Sequence, residues 1–130
     1  MSAWLLVMLG GAMGAGLRYG VALWLAPVST QFPWATLLVN ALGSFAIGAL
    51  AATFARGEVD PNGLLKALLI TGVLGGFTTF STFSLETLKL LQAGSIASAM
   101  TNVLLSLLLC IGGCWLGWLS FSRLANFLQN

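Results

Sequence analysis

Four stretches of this chain, at residues 4–25, 34–55, 64–91 and 96–121, are apolar over the ~20 residues an α-helix needs to cross a bilayer. The segments between them are short, at 27–33, 56–63 and 92–94, and the last contains Gly94, a residue suited to ending a helix. In lipid, backbone polar groups must be satisfied within the chain, which leaves helices or closed barrels as spanning structures. Runs this long without strict alternation are helices. Only 6% of the 130 residues are charged, against about 25% in soluble domains. The expected fold is therefore all-α and integral to the membrane, with residues 1–130 forming one four-helix domain. The first run lacks a basic leader and a small-residue cleavage site, so it is read as a retained helix.

The third run is interrupted. Gly75-Gly76-Phe77-Thr78-Thr79-Phe80-Ser81-Thr82-Phe83-Ser84 places five hydroxyls, three phenylalanines and two glycines near mid-depth. An unsatisfied backbone or hydroxyl group there costs several kcal/mol, roughly, unless protein buries it or it lines a wet path. The expectation is a helix that breaks near 75–84 and resumes. Such a break marks the route or binding site of a small solute.

Several functions are excluded by what the chain lacks. It has no histidine, and its only acids are Glu58, Asp60 and Glu86. A Ser or Cys nucleophile would lack its usual base, so the chain is not read as an enzyme. Cys110 and Cys114, four apart on one helix, suit neither a disulfide nor a metal site and are read as small packing residues. A net charge of +2 is too small to imply nucleic-acid binding. Arg56, Lys66 and Arg123 fall to one side of the membrane, with Lys89 and the deeper Arg18 to the other. Three against two barely biases orientation. Either one charge decides it, or copies insert both ways and pair as an antiparallel dimer in which mid-depth features meet their own copies.

Small-xxx-small pairs (Gly10 and Gly14, Gly16 and Gly20, Gly72 and Gly76, Gly113 and Gly117) predict close helix approach. Polar stripes run along the second helix (Thr36, Asn40, Ser44, Gly48) and the fourth (Asn102, Ser106, Cys110). They either cross-link helices or present hydrogen-bond donors across the membrane. Arg18 must pair, snorkel or line water; snorkelling and an anion-attracting vestibule both remain open. Phe80 and Phe83 share a helical face, where spacing alone favours core packing. Presented edge-on, their positive ring edges would suit an anion. Glu86 is placed for a surface ion pair with Lys89, the alternative being an inward turn towards Thr36. Glu58 and Asp60 read as a solvated turn. With Arg18 as the deep charge and amides and hydroxyls as donors, the solute reads as an anion, since cation paths show acidic rings or carbonyl filters.

The Gly75–Ser84 run followed by Glu86, with Asn40 in Thr36-Leu37-Leu38-Val39-Asn40 and Arg18 after a glycine-rich first helix, resembles the signature of the Fluc (CrcB-type) fluoride channels. The likeness covers essentially the whole chain. It implies a bacterial inner-membrane, multi-pass protein that lets fluoride leave the cytoplasm passively, working as an antiparallel, dual-topology homodimer in the lipid bilayer. By the same resemblance Asn40, Phe80, Ser81, Thr82 and Phe83 belong to the fluoride pathway, with Ser106 and Arg18 as further members. Gly75 and Thr78 would hold a structural, untransported Na+ through their backbone carbonyls. Cys110 stands where another hydroxyl is expected. Two other functions fit a compact four-helix chain. A small dual-topology multidrug exporter needs a carboxylate that the first helix lacks, and in a non-transporting assembly subunit the stripes merely glue helices.

Overall fold

The computed structural model describes residues 2–55, 60 and 62–127, with side chains to 123. All regular elements among them are helical. Helix α1 is Ala3–Leu25, α2 is Trp34–Phe54, α3 covers 64–77, α4 is Phe80–Gln92 and α5 is Ile96–Phe127. Together α3 and α4 make the third crossing, so four spans among the described residues are long and apolar enough for a membrane. Arg56 and Glu58 lie outside the described residues.

The ends follow local chemistry. Ser29 Oγ accepts the Ala35 amide and caps the first turn of α2. Asp60 is more than a solvated turn, because its Oδ2 accepts the Lys66 amide at 2.8 Å and ties down the start of α3. Gly94 (φ 74°) ends α4, with its amide on Leu91 O and the Ser95 amide on Leu90 O, the paired bonds of a glycine-terminated helix. The last helix runs past the expected end at 121, because 122–127 contain neither glycine nor proline to stop it.

Within α3, residues Ala67–Leu74 are wound as a π-helix, and the Gly75 amide reaches back five residues to Ile70 O. The chain then leaves helical geometry at Thr78 (ψ 157°) and Thr79 (φ −153°) before α4 begins.

Packing falls into two pairs. Against α3, helix α1 approaches so closely that a methyl on Gly14 would collide with the Val73 carbonyl and the Phe77 amide. Against α5, helix α2 does the same at Gly48, where a methyl would strike the Cys114 carbonyl. Gly16 and Gly20, by contrast, have nothing within 4 Å of an added Cβ; their spacing is not used within this chain. The core is built of small and branched residues such as Ala35, Val39, Ala49 and Ala99, while Trp4, Trp24 and Leu108 stay exposed on the outer faces. That outward apolar dress is what a lipid solvent selects. Helix α4 buries none of its residues.

Candidate functional site

The break between α3 and α4 strands backbone groups that a continuous helix would pair, and each finds a particular substitute. Leu74 O takes both the amide and the hydroxyl of Thr78, at 3.0 and 2.9 Å. Gly76 O takes Nε of Arg18 at 3.1 Å. A guanidinium at a helix C-terminus also meets the negative end of the helix dipole. Arg18 therefore pairs, with its partner on the broken helix. The Thr79 amide, which a continuous helix would donate to Gly75 O, goes instead to Asn40 Oδ1 at 2.7 Å, and Asn40 Nδ2 returns a bond to Thr79 O at 3.0 Å. One side-chain amide thus stands in for a length of missing helix.

Thr79 also starts the next helix. Its Oγ1 accepts the Thr82 amide, donates to Thr82 Oγ1 at 3.0 Å and lies 3.3 Å from Ser81 Oγ. Those bonds knit Thr79, Ser81 and Thr82 into one hydroxyl cluster.

Two open cavities of about 330 Å³ each meet at Thr79, which lines both, while Asn40 lines the first alone. The first brings together Asn40, Phe80, Phe83, Ser106, Gly75 and Thr78. The second holds Arg18, Thr82, Thr36 and Glu86. Ser81 lines neither and is exposed. Ser81 apart, the site residues picked out in the sequence divide between two chambers that share Thr79 of the break.

Three features show what the first chamber can do. Ser106 is 8% exposed and its Oγ has no hydrogen-bond partner. A hydroxyl left so is rare, and it has its donor free for something that enters the cavity. Asn40 Nδ2 carries two hydrogens, of which the clamp takes one. The Phe80 and Phe83 ring centroids are 5.4 Å apart at 44°, and Phe80 is 76% exposed, so this chain leaves much of that ring uncovered. In the second chamber, Glu86 turns inward. Its Oε2 is buried without a hydrogen-bond partner and the Thr36 hydroxyl lies beside the carboxyl group, so the surface reading with Lys89 gives way to the inward one.

The proposed cation ligands can be tested for fit. No hydrogen-bond donor reaches Gly75 O or Thr78 O among the described residues. A Cβ on Gly75 would meet only Ile70 O, at an ordinary 3.7 Å, so nothing within one chain demands a glycine there. Two free carbonyl oxygens beside an open glycine are compatible with a hard cation.

A profile described as CrcB-like protein, Camphor Resistance (CrcB), matches residues 5–118. The chain belongs to the CrcB family. It is similar to a protein of Magnetococcus marinus named fluoride-specific ion channel FluC, 50% identical over 119 residues that cover 88% of this chain and 92% of the relative. A protein of the same name from Shewanella frigidimarina is 50% identical over 121 residues, covering 92% and 96%. Another, from Shewanella baltica, is 48% identical over 122 residues, covering 92% and 97%.

For this CrcB chain, the structure singles out two residues that the sequence offers only as members of a group. Thr79 was one hydroxyl among five, yet its backbone and side chain hold the break. The signal available was a threonine three residues before Thr82, a helix-start spacing. Asn102 shares a stripe with Ser106, and of the two readings of that stripe it takes the cross-linking one: it is 1% exposed, lines neither chamber and donates to Thr87 Oγ1 at 2.9 Å.

Proposed function

We propose that the chain is a fluoride-selective channel that gives fluoride a passive way out of the cytoplasm, lowering its toxicity. The observation that carries this reading is the unpartnered Ser106 hydroxyl in a chamber walled by the helix break; relatives of matching length bear the fluoride-channel name. Fluoride is small and tightly hydrated, so it crosses only where closely placed donors replace its water. Ser106 Oγ and the second hydrogen of Asn40 Nδ2 supply such donors. The positive edges of Phe80 and Phe83 add to them, and larger halides are rejected by the narrowness of the path. Arg18, at the second chamber, raises the local anion concentration through its charge. Thr82 and Ser81 continue the hydroxyl series around Thr79.

The working unit is an antiparallel homodimer of oppositely inserted copies in the bacterial inner membrane. The nearly bare Phe80 ring supports this, because a partner copy gives it a surface other than lipid. Gly75 O and Thr78 O from both copies would hold a structural sodium ion, whose charge would satisfy carbonyls that the break leaves without donors. The carbonyls stay fixed and the ion is not carried.

Proteoliposomes test the proposal. Those containing the purified chain are expected to lose fluoride far faster than chloride, more slowly once sodium is removed, and without tracer sodium crossing. Equal release of both halides would overturn it. Labelling of single cysteines placed at the helix ends should find both orientations in the membrane.

A further inference from the structure

Helix α4 carries both phenylalanine rings of the first chamber, yet none of its residues is buried. Apolar packing therefore does little to fix how far α4 is rotated about its own axis. Two polar links do it instead. One is the Asn40 clamp at the N-terminus of α4. The other lies two turns further along α4. Asn102 on α5 donates from Nδ2 to Thr87 Oγ1 at 2.9 Å, and Thr87 Oγ1 donates to the Phe83 carbonyl at 2.8 Å.

The direction of this relay is dictated by its chemistry. An amide N–H can only give, so the Thr87 hydroxyl must accept from Asn102, and its single proton is then directed to Phe83 O. The bond from a threonine hydroxyl to a carbonyl four residues back also sets local helix bend. Asn102 shares with Val39 the distinction of being the most completely buried large side chain among the described residues. Its link to Thr87 on α4 is therefore shielded at the Asn102 end from competing water, which strengthens such a bond.

We infer that Asn102 is a positioning residue for Phe83, acting through Thr87 to set where that ring faces in the chamber. The inference deepens the channel reading and rests on it for the meaning of the ring. It moves Asn102 out of the donor series and into the support of an aromatic wall.

The test reads the ring directly. Full-length protein carrying 4-fluorophenylalanine at position 83 is examined by fluorine NMR in detergent micelles. Thr87→Val, which keeps the shape and removes the hydroxyl, is expected to shift or split the ring resonance. Thr87→Ser should restore the parent signal. Asn102→Leu should reproduce the Thr87→Val spectrum, and the double variant should add nothing further, as two parts of one relay require. Should Asn102→Leu fail to fold, the Thr87→Val and Thr87→Ser pair still decides. In proteoliposomes Thr87→Val is expected to lower fluoride efflux roughly tenfold. A glue-only role would lower stability but leave the folded protein's resonance in place; an unmoved signal in Thr87→Val, or additive shifts in the double variant, overturns the inference. Because the spectrum needs no transport, it remains decisive even if the protein carries no fluoride.

Discussion

The two halves of the third crossing are held in place by opposite means. Helix α3 lies directly on the backbone of α1 at Gly10 and Gly14, where backbone atoms of Leu68, Val73 and Phe77 are the nearest neighbours. Helix α4, only two residues further along the chain, has no fully buried residue and hangs on hydrogen bonds from Asn40, Thr79 and Asn102. Lipid is as apolar as leucine, so close van der Waals contact holds the first half. The second half relies more on directed bonds, which fix orientation while leaving two open cavities that meet at Thr79. A glycine seam makes a rigid base, and an amide clamp makes a shaped space.

Substitutions can break this contrast in order of severity. Gly14→Val drives branched carbons into the Val73 carbonyl and should part α1 from α3. The expected outcome is no folded, monodisperse protein in detergent by size-exclusion chromatography, and a well-behaved peak would show that the seam yields. Asn40→Leu keeps the branched outline but strands the Thr79 amide and carbonyl, at about 1–3 kcal/mol for each group. Protein should still be recovered, since the α1–α3 base is untouched. Fluoride efflux should fall by roughly tenfold or more, and near-parental efflux would mean the clamp shapes nothing. Gly16→Ala lies on the open side of α1, where an added carbon meets nothing. It should change thermal stability by no more than about 0.5 kcal/mol and leave efflux alone. A large loss would reveal a partner on that face.

How much of this was legible in the sequence differs between the same two halves. Spans, connections and the interruption near Thr78 follow from hydropathy and from the density of hydroxyls at mid-depth. That Gly10 and Gly14 make a seam while Gly16 and Gly20 do not could not be read, because spacing is the same in both and only the neighbour differs. The Asn40–Thr79 clamp joins residues 39 apart in the chain, and no local pattern announces such a bond. Glu86 misled for a related reason: its nearest cation along the helix is Lys89, whereas its surroundings are set by α2. The π-winding of Ala67–Leu74 carries no signal at all, since these residues suit an ordinary helix equally well.

That winding has a consequence for how the halves can coexist. Wider turns in Ala67–Leu74 take up slack ahead of the break. In an ordinary α-helix each residue advances the azimuth by roughly 100°, so losing one residue of slack would swing Gly75 and Gly76 well away from their present bearings. The stretch acts as a vernier that brings the glycine seam and the asparagine clamp into phase. A one-residue deletion inside it would strike harder than most point substitutions, because it would put the two halves out of step and also shift Leu68, Gly72 and Val73 against the glycines of α1.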